Sequence, residues 1–269
     1  MSFIMKKTSK ISSVVSDVPL LDKVKTAFSQ KTNFDSYPFS LSIIKNLKDI
    51  HFQGQVTFFV GENGTGKSTL LEAIAHKAGF GAEGGSKNIS FKTSEESAYA
   101  PLQQLSDQLV LSWRQKPKDG YFFRAETFYN IANYLDYLNR ECGGNAYGSY
   151  GGKSLHERSH GESFLEFFKN RLNSGGFFIL DEPEAALSPQ RQLSLMIIIR
   201  QLCQDFNAQF IIATHSPILL AYPDATIYSC DFENLKKISY ADTEHYQITK
   251  QFLNNPSLYL HHLFGDSSD

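Results

Sequence analysis

Apolar residues in this chain fall into short blocks whose spacing alternates between the strand period and the helix period. "QVTFFV" (55–60), "GFFILD" (176–181) and "AQFIIAT" (208–214) are near-continuous apolar runs of strand length, the pattern of strands covered on both faces. "QLVLSW", "GYFFRA", "TIYSCD", "NISFKT" and "FSLSII" read as further strands, being short, β-branched and aromatic. "GKSTLLEAIAHKAGF" instead places Leu70, Leu71, Ile74 and Ala78 on one helical stripe, with Gly79 as the stop. Helices are also expected over 126–140, 160–172 and 189–206, as a short piece at "SPILLA", and in the last stretch of the chain. Strands alternating with helices predict an α/β domain built on a mostly parallel, covered sheet. Residues 1–33 are Ser/Lys-rich and weakly patterned, an N-terminal extension with a short helix expected over "PLLDKVKTAF". The main body is placed at 34–269, with a looser insertion from about 80 to 172 that contains the Gly/Tyr-rich loop "CGGNAYGSYGGKS".

Composition adds mainly exclusions. The chain has 269 residues, 41% hydrophobic and 20% charged, with a formal net charge of −2. That length supports a sizeable core, and no global basic field draws it to nucleic acid. Three cysteines (Cys142, Cys203, Cys230), with no C-x-x-C, give neither a disulfide framework nor a cysteine zinc site; a reducing cytoplasm is the plain expectation. No apolar run reaches the length of a membrane span, so no membrane insertion is expected.

Three motifs carry chemistry. "GENGTGKST" (Gly61, Glu62, Asn63, Gly64, Thr65, Gly66, Lys67, Ser68, Thr69) follows an apolar strand and opens a helix, the context a phosphate-binding loop requires. Glycines let successive N–H groups turn toward phosphate oxygens, and the helix N-terminus adds partial positive charge. Lys67 is placed for the β- and γ-phosphates, and Ser68 offers a hydroxyl to Mg²⁺. "FFILDEPEAAL" ends a strand in two acids: Asp181 for the metal, Glu182 to orient or deprotonate the attacking water. "FIIATHSPILL" puts His215 at the end of another strand, the edge of an open α/β sheet where ligands sit. No N-K-x-D motif supports a GTPase.

"SLHERSHGESF" has two readings. His156, Glu157 and His160 have zinc-protease spacing, but the flanking Gly152 and Gly161 leave only one or two helical turns to carry such a site. Ser159, Gly161 and Glu162 instead form a helix-start anion site, with Ser159 as N-cap and Glu162 as its capping-box partner. A plain surface turn is the third possibility.

The three motifs in this order, with Ser-x-Gly-Glu ahead of the acidic strand, resemble the ABC-type ATPases, most closely the SMC/RecF/OLD-like soluble branch of small stand-alone ATPases. The resemblance implies the head architecture of that superfamily: a P-loop NTPase core, antiparallel strands near the N-terminus and a helical signature subdomain. It implies ATP and Mg²⁺ as cofactors and a homodimer that sandwiches ATP, Ser159, Gly161 and Glu162 of one copy reaching the γ-phosphate held by the other. It implies Glu182 and His215 as catalytic residues, and Ser68 and Asp181 as metal ligands. Arg158 stands where the signature has Leu, His160 where it has Gly, and Ser188 where the following loop has Asp. No Gln sits at "FFRAETF"; Glu126 is the stand-in, with Arg124 nearby, and the alternative is that the two form only a solvated ion pair. Tyr37 or Phe39 is expected to stack on adenine. The interval from Lys67 to Ser159 has no heptads, so no coiled-coil arms are expected. The implied role is a soluble ATPase working with DNA or an effector protein in repair or defence; the alternative is the ATP-binding subunit of a membrane transporter.

Overall fold

The computed structural model describes residues 18–81, 84–85, 96–125, 136–137, 139–141, 165–166, 169 and 175–265, with side chains described from residue 100 onward in the second long stretch. Two sheets build the body. A six-stranded sheet has the order β5-β6-β7-β3-β8-β9, made of β3 (Val56–Val60), β5 (Asp119–Arg124), β6 (Gly176–Asp181), β7 (Gln209–Ala213), β8 (Thr226–Ser229) and β9 (Lys236–Ile238). Its first five strands run parallel, and β9 closes the edge antiparallel to β8. A three-stranded antiparallel sheet has the order β2-β1-β4, made of β1 (Leu21–Thr26), β2 (Ile50–His51) and β4 (Leu109–Trp113).

The central strands are apolar on both faces because both faces are covered. Phe58, Phe178, Leu180, Phe210 and Ile212 point to one side, where they pack on Leu195, Ile199 and Leu202 of α4 (Pro189–Phe206). The alternate residues Phe59, Phe177, Ile179 and Ile211 point to the other side. There they meet Leu70 and Ile74 of α2 (Lys67–Ala78), Leu102 and Leu105 of α3 (Glu96–Asp107), Ile43 and Ile44 of α1 (Ser42–Lys45), and Leu21 and Val24 of β1. Helix α2 stops as expected at Gly79, whose φ of 94° suits a residue with no Cβ. Helix α4 covers the expected 189–206, started by Pro189 at its first position and ended by Asn207 in the left-handed region. The piece at "SPILLA" is α5 (Pro217–Leu220); Ser216 caps it, accepting from the N–H groups of Ile218 and Leu219 at 3.2 Å each.

Two expectations are corrected. "FSLSII" is not a strand: Pro38 to Leu41 turn and lead into α1, because the adjacent Ile43 and Ile44 are both buried, a demand no flat strand face meets on one side. "PLLDKVKTAF" is not a helix. It holds β1, where a register shift between Leu21 and Lys23 turns both Leu21 and Val24 inward and so imitates helical spacing. Since β1 lies in the core, the body begins well before the expected boundary at residue 34. The expected strand "NISFKT" lies outside the described residues, and so do most of the helices over 126–140 and 160–172; residues 136–137, 139–140, 165–166 and 169 of these are helical.

One side chain ties the two sheets together. Gln209, fully buried at the start of β7, accepts the Leu21 N–H at 2.6 Å and donates to the Leu21 carbonyl at 3.1 Å. Gln209→Leu keeps the volume but strands both backbone groups of Leu21, each costing about 1–3 kcal/mol. The variant is expected to lose about 2–5 kcal/mol of stability in urea unfolding, whereas an exposed change such as Gln204→Leu should stay within about 0.5 kcal/mol.

Candidate functional site

The parallel strands end in one row, and the chemistry-bearing residues sit on it. Arg124 is level with Asp181, Asp181 with Ala213, and Ala213 with Phe59, so the loops leaving β3, β5, β6 and β7 converge. The loop after β3 is the phosphate cradle. Gly61, Gly64 and Gly66 all have positive φ (150°, 82° and 100°), which turns successive amides to one side. At Gly61 the need is also steric: a Cβ would lie 2.7 Å from Oδ1 of Asp231. That carboxylate accepts the Glu62 N–H at 2.6 Å, while its Oδ2 accepts the hydroxyl of Ser229 at 3.0 Å. Asp231, at the end of the neighbouring strand β8, thus fixes the start of the cradle. Lys67 is buried at the mouth of α2 and donates to the carbonyls of Gly61 at 2.6 Å and Glu62 at 2.8 Å, folding the loop around its own ammonium. A cleft of about 190 Å³ runs along this loop between Tyr37 and Glu182.

Beside the cradle, Ser68 donates to Oδ1 of the buried Asp181 at 3.0 Å. A hydroxyl and a carboxylate this close fit a small hard cation that takes its remaining ligands from water and phosphate, as Mg²⁺ does. Among the described residues there is no group of three or more His, Cys, Asp or Glu side chains that could hold a metal ion. Glu182, next in the chain, adopts φ 49° and ψ 52°. A left-handed Glu is strained, and strain of this kind is retained where geometry matters more than stability. Its N–H bonds the Ala213 carbonyl at 2.9 Å, so β7 holds the strained residue in place.

His215 faces it. Nε2 of His215 lies 3.4 Å from Oε1 of Glu182 and has no aligned hydrogen-bond partner among the described residues. Its backbone N–H donates to Oε1 of Glu184 at 2.6 Å, and its Nδ1 lies 2.9 Å from Nε2 of His245. Burial pushes the His215 pKa below its ordinary value; the charge of Lys67 and the neighbouring His245 add to this, and Glu182 only partly opposes it. The ring is therefore neutral at physiological pH. Burial raises the Glu184 carboxyl above the ordinary range, against the lowering effect of the His215 N–H bond.

Two segments of the chain match known protein families. Residues 32–119 match the model of an "AAA domain", and residues 168–221 that of an "AAA domain, putative AbiEii toxin, Type IV TA system". The chain is similar to the ABC-type ATPases. It is 27% identical over 190 residues to the arabinose import ATP-binding protein AraG of Mannheimia succiniciproducens, covering 63% of this chain and 36% of that protein. It is 23% identical over 245 residues to the ribose import ATP-binding protein RbsA of Oceanobacillus iheyensis, covering 87% and 47%. The chain thus spans less than half the length of these two relatives. It covers 83% of the lipoprotein-releasing system ATP-binding protein LolD of Buchnera aphidicola, at 26% identity and 68% of its own length. Among solved structures it is similar to the SMC head domain from Thermotoga maritima (17% identity, 81% of this chain and 98% of that one, TM-score 0.43). It is likewise similar to a putative metal-chelate type ABC transporter in an inward-facing conformation (16%, 86% and 88%, TM-score 0.49).

The expected cradle, acid pair and histidine come together at one edge. Tyr37 and Phe39 separate clearly. Phe39 is buried in an aromatic cluster with Phe28 and Phe34. Tyr37 is 56% exposed, and its hydroxyl is 3.2 Å from that of Thr69, so of the two it is the one that lies at the cradle. Arg124 is largely buried, 2.7 Å from Glu72 and 3.6 Å from Asp181. Ser159, Gly161, Glu162, Glu126 and the His156/His160 pair lie outside the described residues. Three groups at the site carried no sequence expectation: Glu184, Asp231 and His245. Asp231 had a usable signal, an acid at the tip of a strand adjoining the phosphate-loop strand; His245 had none. Cys203 and Cys230 are buried and form no disulfide among the described residues. Among the described residues no helix is long and apolar enough to cross a membrane.

Proposed function

We propose that the chain binds ATP with Mg²⁺ and hydrolyses it between two copies of itself. The observation that carries this is the meeting of Lys67, Ser68, Asp181, Glu182 and His215 at the C-terminal edge of one parallel sheet. In this reading the Gly61–Thr69 loop holds the phosphates. Lys67 exchanges its carbonyl partners for β- and γ-phosphate oxygens, and Ser68 and Asp181 would hold the metal, whose role is to offset phosphate charge. Glu182 orients and deprotonates the attacking water. The neutral His215 donates from Nε2 to the charge that develops on the γ-phosphate. Tyr37 stacks on the adenine. Ser159, Gly161 and Glu162 of the second copy complete the pocket, so that hydrolysis releases the dimer.

The process served is, on this reading, linked to nucleic acid or an effector protein, in repair or defence. Similarity of residues 168–221 to a putative AbiEii toxin domain supports it, as does the filling of the β5 end by Arg124, bound to Glu72 and Asp181, in place of a Gln presented to a membrane partner. The transporter reading keeps support from the import and lipoprotein-release relatives. Gel filtration decides on the dimer: ATP with Mg²⁺ is expected to double the apparent mass, and ADP is not. Turnover stimulated by duplex DNA supports the first role. Turnover indifferent to nucleic acid, in protein that co-purifies with a membrane complex, transfers the assignment to a transporter.

A further inference from the structure

The C-terminal hairpin reaches back into the site through one side chain. It consists of α6 (Glu244–Asn254) and α7 (Pro256–Phe264), neither of which buries a residue fully. It is anchored just ahead of α6: the Tyr240 hydroxyl donates to the Pro217 carbonyl at 3.0 Å, and the buried Thr243 donates to the Tyr240 carbonyl at 2.8 Å. Tyr240 also packs on Tyr246 at 4.4 Å between ring centres. This places His245 in the first turn of α6, with Nε2 2.9 Å from Nδ1 of His215.

Two imidazole nitrogens at that distance share one proton between them, and its owner sets the tautomer of His215. Suppose His215 donated from Nδ1. Its Nε2 lone pair would then face the Glu182 carboxylate, and His245 would carry an N–H at Nδ1, a buried atom without a partner among the described residues. Both are unfavourable: two acceptors would oppose each other, and a buried donor would be left unmade. With the proton on His245 Nε2, His215 accepts at Nδ1 and carries its own hydrogen on Nε2, facing Glu182. The unpaired atom on His245 is then only a lone pair. The other groups around His215 agree: Glu184 takes its backbone N–H, and Lys67 opposes a second proton on the ring.

We propose that His245 is a positioning residue, holding His215 as the Nε2–H tautomer with that hydrogen aimed into the site. Its effect on turnover rests on the ATPase reading above; the tautomer itself does not. His245→Leu removes the donor, His245→Gln restores an N–H close to the Nε2 position, and His215→Ala removes the acceptor. His245→Leu is expected to lower kcat about 10–100-fold, the usual loss when a residue orienting a functional histidine is removed, with KM for ATP little changed. His245→Gln is expected to recover most of this. In the His215→Ala background, His245→Leu should cost nothing further. Nitrogen-15 NMR of the wild-type protein without nucleotide should show His215 protonated at Nε2 and bare at Nδ1. The proposal is overturned if His215 carries its proton on Nδ1, if Gln is as damaging as Leu, or if the Leu loss persists without His215. Should the wild type show no turnover at all, the ATPase reading fails while the NMR result still decides this one, also in the event that His245→Leu does not fold.

Discussion

Glu182→Gln is expected to lower steady-state ATP turnover by about 10²–10⁴-fold, the range a positioned general base contributes, while leaving ATP binding in place. The substitution keeps volume and one acceptor oxygen but removes the basicity that takes the proton from water. Nothing in the phosphate cradle depends on it: Lys67 bonds the loop carbonyls, Ser68 bonds Asp181, and the Glu182 main chain is held by Ala213 through its N–H, which Gln retains. Glu182 is 41% exposed, so the amide need not be desolvated without a partner. The protein should therefore bind ATP as tightly as the wild type and accumulate with it, as a dimer if the pocket is shared between copies. The measurement is turnover beside equilibrium binding of a fluorescent ATP analogue. A variant that hydrolyses at more than a tenth of the wild-type rate removes Glu182 from the chemistry and leaves only an orienting role for the strand end. A variant that loses binding instead shows that the left-handed backbone at 182 supports the cradle.

What could be read along the chain is what short-range chemistry forces. A phosphate cradle needs glycines, a lysine and a hydroxyl within nine residues, and a catalytic strand end needs adjacent acids, so Gly61–Thr69, Asp181 and Glu182 declare themselves locally. Strands covered on both faces need unbroken apolar runs, so β3, β6 and β7 do too. Where an element depends on distant partners, the local pattern misleads. The register shift in β1 gave a strand the spacing of a helix, and α1 is too short for any period to show. Asp231 and His245 act only because β8 and α6 bring them to the cradle and to His215. Gln209 reaches Leu21 across 188 residues, and nothing near either one in sequence announces it. Arg124 meets Glu72 and Asp181, both far from it in sequence.

Lys67→Met is expected to weaken ATP binding by about 10²–10³-fold, and the structure shows why the loss is one of charge more than of loop shape. The ammonium bonds two carbonyls of its own loop, at Gly61 and Glu62. Glu62 is exposed, so water can replace the ammonium at its carbonyl, and the Asp231 clamp on the Glu62 N–H is unaffected; the buried Gly61 carbonyl loses its partner. The loop should therefore survive in the variant, with stability falling by about 1–3 kcal/mol, the cost of one buried acceptor left unpaired. Binding is different. Two charge-assisted bonds to phosphate, each worth about 1.5–3 kcal/mol, have no substitute in a thioether. Arg would not restore them, because its planar fork presents its donors in a different geometry from the compact lysine ammonium. Calorimetric titration of ATP, with urea unfolding of the same samples, separates the outcomes. Lost affinity at near-wild-type stability places the ammonium on the phosphates. Unchanged affinity places the nucleotide elsewhere, and an equal fall in stability and affinity makes Lys67 a strut of the loop rather than a ligand.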